Sequence, residues 1–108
     1  MEEKITAVYL LAWQSELTPE DRGSYERLLA EQKRACLELL EKRGIDPVSG
    51  VTVYTSRKEL FMDIDRDRVA RLVVSDRARL SAIQEELDAI LFELRMRGIE
   101  VLTVDGNG

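Results

Sequence analysis

Four short runs of apolar, β-forming residues alternate along this chain with three stretches whose apolar residues recur at helical spacing, and that alternation constrains the fold more than any other feature. The first run, Ile5 to Trp13, is almost continuously apolar, which predicts a central strand buried on both faces. Val51 to Tyr54, Val69 to Val74 and Ile99 to Val104 predict the other three strands. Thr18-Pro19-Glu20-Asp21 supplies an N-cap, a proline suited to the first helical position and early acids. Tyr25, Leu28, Leu29, Gln32, Ala35, Cys36, Leu39 and Leu40 then share one helical stripe, which Gly44 ends after Lys42 and Arg43 in the last turn. Ser56 and Glu59 read as a capping box for a short helix to about Ile64. Ser81 and Gln84 read as another, for a helix that turns Ile83, Leu87, Ile90, Leu91 and Leu94 inward and closes at Gly98. The end, Asp105-Gly106-Asn107-Gly108, reads as frayed.

Strands joined through helices must run parallel, so the expected fold class is α/β: a single-domain, three-layer sandwich around a mainly parallel four-stranded sheet. The expected strand order is 2-1-3-4, the flavodoxin-like order. Its sites gather beyond the carboxyl ends of the strands, where the order reverses between the first and third. That rim comprises Trp13 to Glu16, Thr55 to Lys58 and Ser75 to Ser81. A chain of 108 residues with 44% apolar content suits one such domain with a packed core.

Composition removes several kinds of chemistry. There is no histidine, which excludes imidazole acid–base catalysis and the commonest metal ligand. Asp63, Asp65 and Asp67 alternate with Ile64, Arg66 and Arg68, a pattern that fits a solvated face better than a hard-cation site, so no metal is expected. Gly44, Gly50 and Gly98 are isolated and none forms a phosphate-cradling turn, so no nucleotide cofactor is expected either. Cys36 falls on the apolar stripe, where a buried, inert thiol is expected. A lone cysteine and the lack of any long apolar run or signal-peptide pattern lead to the expectation of a cytoplasmic protein with no membrane association.

The net charge of −5 gives no support for general polyanion binding, yet the charge is uneven. Between Arg57 and Arg79 there are seven basic residues (Arg57, Lys58, Arg66, Arg68, Arg71, Arg77, Arg79) against five acidic ones (Glu59, Asp63, Asp65, Asp67, Asp76). The rim combines hydroxyls at Ser15, Ser56, Ser75 and Ser81 with arginines at Arg57, Arg77 and Arg79. Arginines around a serine are what attack on a phosphodiester requires, because they stabilise charge on the transition-state oxygens. The competing reading makes Ser56 and Ser81 helix caps and pairs the arginines with Asp76 and nearby acids.

The order of elements and several residues resemble the catalytic domain of the serine recombinases (resolvases and invertases), over roughly Ile5 to Asp105. The first strand of that family ends in Tyr-x-Arg-Val-Ser; the matching stretch here is Tyr9-Leu10-Leu11-Ala12-Trp13. Glu31-Gln32, the run to Arg43-Gly44-Ile45, Arg57, and Arg97-Gly98-Ile99-Glu100-Val101 also match. The family's Leu-Asp-Arg-Leu-Ser-Arg corresponds to Arg77-Ala78-Arg79-Leu80-Ser81-Ala82.

The departures bear on function. Trp13 stands at the nucleophile position and Leu11 at that of an arginine, while Ala78 and Ala82 replace an aspartate and an arginine. Arg57 and Arg79 are what survives of the charged set, and Ser15 could serve as nucleophile only if the loop slips by two residues. Each lost charge-stabilising group costs ~10²–10³ in rate.

The resemblance therefore implies residues 1–108 as one resolvase-like, catalytic-type domain without a separate DNA-binding domain. It leans away from an enzyme, towards a binding or regulatory module related to site-specific DNA recombination. The alternatives are an active fragment using Ser15 with Arg57 and Arg79 as phosphate clamps, or a small protein-interaction scaffold. The expected partners are DNA, held weakly through Arg57, Lys58, Arg77 and Arg79, and a second copy or another protein.

Overall fold

The computed structural model describes residues 3–105. Strands β1 (Ile5–Tyr9), β2 (Val51–Tyr54), β3 (Val69–Val74) and β4 (Glu100–Thr103) alternate with helices α1 (Glu26–Lys42), α2 (Arg57–Asp65) and α3 (Gln84–Met96). The four strands form one sheet in the order β2-β1-β3-β4. Every neighbouring pair is parallel, with Val8 opposite Val53 on one side and Val73 on the other, and Val73 in turn opposite Leu102. The α/β class and the 2-1-3-4 order are as the sequence predicts, and the sheet is parallel throughout.

The side-chain alternation of β1 explains why this sheet needs helices on both faces. Val8 and Leu10 pack with Val73 and Leu102 against Cys36 and Leu40 of α1. Ala7 and Tyr9 pack with Leu72 and Val74 against Leu60 and Ile64 of α2 and Leu87 and Leu94 of α3. From β1 the chain steps to one side through α1, then returns past β1 through α2 to β3 and through α3 to β4. The reversal puts α1 on the face opposite the other two helices and leaves the carboxyl ends of β1 and β3 side by side. Leu40, Leu60, Leu72 and Leu94 are fully enclosed, and each such side chain stabilises the fold by about 1.5–3 kcal/mol.

Several boundaries differ from the sequence reading. The first strand ends at Tyr9, although the Leu10 N–H still donates to the Tyr54 C=O of β2 at 2.9 Å, and the chain then runs on to a 3₁₀ turn at Gln14–Glu16. Thr18 caps only another 3₁₀ turn, Pro19–Asp21, because Arg22 and Gly23 (φ 51° and 80°) then swing the chain into the left-handed region; α1 begins at Glu26. Tyr25 thus precedes the helix and is exposed. Ser56 caps α2 by accepting the Glu59 N–H at 3.3 Å. Ser81 does not cap α3: its hydroxyl closes a local turn on the N–H of Ile83 (3.1 Å), a 3₁₀ turn occupies Arg77–Arg79, and Ile83 points to solvent rather than inward. Gly44 (φ 73°) and Gly98 (φ 74°) end α1 and α3 as expected, each followed by a six-residue closure, Ile45 N–H to Leu40 C=O and Ile99 N–H to Leu94 C=O, both at 2.9 Å. Of the frayed end expected at Asp105–Gly108, Asp105 is tied back to the end of β3, its N–H donating to the Ser75 C=O at 3.2 Å, and residues 106–108 lie outside the described residues.

Candidate functional site

Beyond the carboxyl ends of β1 and β3 lies an open cleft of about 500 Å³, whose walls include Tyr9, Leu11, Trp13, Thr55, Arg57, Arg79, Ser81 and Glu86. It forms where the sequence places the rim, because the chain leaves β1 towards α1 on one face and reaches β3 from the other. Arg57 and Arg79 both line it. Ser15 does not: it sits exposed on the Gln14–Glu16 turn, outside the cleft wall.

Arg79 is held more tightly than any other charged residue of this region, with 9% of its side chain exposed. Its Nη1 donates to Glu16 Oε1 (2.5 Å) and to the Leu11 carbonyl (2.9 Å), and its Nη2 donates to Glu16 Oε2 (3.0 Å). Its Nε is shared between Ser75 Oγ (3.1 Å) and Asp76 Oδ2 (3.3 Å). The face of the guanidinium lies 4.2 Å from the centroid of the Trp13 ring, a cation–π distance. Glu16 also accepts the Trp13 N–H at 3.0 Å, so one carboxylate ties the turn to the arginine. The Arg79 hydrogen bonds hold the Glu16 carboxyl down from 4.5 to about 2, and Glu16 in turn raises the pKa of Arg79.

Gln32 completes the arrangement from α1. It is the polar residue that interrupts the apolar stripe, and it is buried. Its Oε1 accepts the Leu11 N–H (3.2 Å) and its Nε2 donates to the Leu11 C=O (2.7 Å), so the chain leaving β1 is clamped by one side-chain amide. The Leu11 carbonyl therefore receives both Gln32 and Arg79.

Arg57 differs in kind. It opens α2, is about half exposed, pairs with Glu86 of α3 and lies 5.3 Å from the Phe61 ring centroid. Lys58 and Arg77 are exposed and make no ion pair among the described residues. The cleft holds the hydroxyls of Tyr9, Thr55 and Ser81 but no lysine to act as a base. Burial raises the pKa of the Tyr9 phenol, Arg57 opposing the shift, so it stays protonated at neutral pH. Elsewhere Asp63, Asp65 and Asp67 diverge to Tyr54, Arg97 and Lys4, and among the described residues no group of three or more His, Cys, Asp or Glu is placed to hold a metal. No helix of the described residues is long and apolar enough to cross a membrane.

Sequence reasoning found Arg57 and Arg79 in the cleft but missed Glu16 as a partner. Nothing local marks Glu16 among so many acids, since its contact spans 63 residues. Gln32 did carry a signal, because a polar side chain on a buried stripe must find a hydrogen-bond partner.

No family model matches the chain, and no curated protein does. Among solved structures, it is similar to the C-terminal catalytic domain of ISC1926 TnpA, an IS607-like serine recombinase, with a TM-score of 0.67 and 13% identity over 94% of this chain and 68% of that one. The chain has the fold of a serine recombinase catalytic domain.

Proposed function

We propose that this domain does not cleave DNA and serves as a binding or regulatory module of a recombination system. The observation that carries this reading is the enclosure of Arg79. The arginine aligned with a phosphate ligand of the family is bonded to Glu16, Leu11, Ser75 and Asp76 and covered by Trp13, the residue aligned with the nucleophile. A phosphate entering there would have to displace a carboxylate already bound in bidentate fashion. Ser15 as a substitute nucleophile is poorly supported, since it lies outside the cleft and makes no hydrogen bond to either arginine. DNA contact through Arg57, Lys58 and Arg77 would be weak and salt-sensitive, because the body of the chain is acidic.

The test is incubation with a random-sequence duplex library carrying nicks that trap a covalent intermediate, followed by denaturing electrophoresis and peptide mass spectrometry. No protein–DNA adduct is expected. An adduct mapped to Ser15, and lost in Ser15→Ala, would establish the active-fragment reading instead.

A further inference from the structure

A buried hydroxyl in the cleft has no partner. Tyr9, at the end of β1, is only 2% exposed and lines the cleft, yet its Oη makes no hydrogen bond among the described residues. Tyr54, opposite it on β2, shows the usual arrangement, its hydroxyl donating to Asp63 at 2.6 Å. An unpaired polar atom at such a depth is uncommon and costs stability, so it points to a partner that the folded chain does not itself supply.

The groups around that hydroxyl select the partner. Arg57 is near enough for its charge to act on the phenol, and its guanidinium is incompletely used. Nη2 donates to Glu86, while Nε and Nη1 donate to nothing among the described residues. Arg79, the other arginine of the cleft, is engaged at all three nitrogens. One available cation beside the Glu86 carboxylate suits a ligand with a single negative charge and opposes a dianion. The Arg57–Glu86 pair is exposed and therefore weakly held, so a second carboxylate can share the arginine. Leu11, Trp13, Leu80 and Ile83 make much of the remaining wall apolar, and about 500 Å³ gives room for a ring-sized molecule.

We propose that the cleft binds a small aromatic monocarboxylic acid, whose carboxylate accepts from the Tyr9 hydroxyl and the Arg57 guanidinium while its ring lies against Leu11, Trp13 and Leu80. Such a ligand deepens the reading of the cleft as a site that binds without cleaving DNA, and it rests on that reading. In so open a cleft a molecule of this size binds with a Kd on the order of millimolar.

Benzoate is the probe, titrated into the whole chain to about 50 mM at neutral pH and constant ionic strength and followed by NMR. Trp13, the single tryptophan, gives one indole N–H signal to watch. Saturable shifts at Trp13 and Tyr9 are expected. Tyr9→Phe should weaken binding at least about tenfold, because a hydrogen bond to a charged group is lost. The same variant should melt no lower than wild type, because the hydroxyl it removes bonds to nothing in the folded chain. Weaker binding with undiminished stability is a pairing that a purely structural tyrosine does not show. Arg57→Ala should weaken benzoate binding by a similar factor. Acetate, which lacks the ring, should bind at least about tenfold more weakly than benzoate. Shifts that never saturate overturn the proposal, as does tighter binding of inorganic phosphate than of benzoate, or a Tyr9→Phe variant that binds like wild type or is less stable. The nicked-duplex assay keeps the two readings apart. A DNA adduct overturns the non-cleaving one, whereas no adduct and no benzoate saturation overturn the carboxylate site alone.

Discussion

The guanidinium of Arg79 stacks 4.2 Å from the centroid of the Trp13 ring while its edge grips Glu16, so three side chains of the rim are turned towards each other. Trp13 supplies a π-face over that cation, and a cation beneath an aromatic ring is less accessible to an incoming anion. The contact joins the end of β1 to the Arg77–Arg79 turn and gives the rim a structural centre.

Arg79→Met should therefore destabilise the fold by roughly 2–4 kcal/mol, because it strands Glu16 and removes a donor from the Leu11 carbonyl; the partial exposure of Glu16 keeps the loss below the upper end for a buried pair. Arg57→Ala, which breaks an exposed pair, should cost less than about 1 kcal/mol. Urea denaturation of the two variants measures the contrast. Equal effects would show that Arg79 is not the structural pin.

Acid should weaken the domain through the same contact. The Glu16 pKa lies below its ordinary 4.5, at about 2, so its share of stability is complete above pH 4.5 and is lost as the pH falls towards 2. Asp21, lowered in the same direction by Arg27, adds to that acid sensitivity. Glu16→Gln should be less stable than wild type at neutral pH and should flatten the decline between pH 4.5 and 2 without abolishing it. Thermal melts across that window are the measurement; parallel curves for the two proteins would remove Glu16 from the account.

Gln32→Leu keeps the volume of the side chain but leaves the Leu11 N–H without its partner. The expected loss is about 1–3 kcal/mol, with faster amide exchange at Leu11. Hydrogen exchange read by NMR separates this from a general loosening, in which protection in β3 would fall by the same factor.

Cys36 should be inert. Burial raises its thiol from 9.0 to about 11, so little thiolate exists at pH 8 and no path leads to it. A disulfide reagent should label it only as fast as the chain unfolds, and rapid labelling under native conditions would mean that the interface of α1 with the sheet opens readily.

Much of the fold was legible because its signals are local. Apolar strand runs, the α1 stripe around Cys36 and Leu40, and the glycines after α1 and α3 each act within a few residues. The misjudged boundaries are those where a cap motif met a competing local geometry: left-handed Arg22-Gly23 after Thr18, and the Arg77–Arg79 turn before Ser81. At the site, position was legible and occupation was not. The spacing of Arg57 and Arg79 after their strands put both at the rim, but whether a guanidinium faces a ligand or an internal acid depends on what else arrives there.

By itself the sequence determined the element order, the two apolar faces of the sheet and the rim at which a site could form, since periodicity and capping are properties of neighbouring residues. Only the tertiary structure decided that Arg79 is enclosed and Arg57 exposed. The deciding partners, Leu11, Glu16 and Glu86, lie 29 to 68 residues from the arginines they bind, and only folding brings them within hydrogen-bond range.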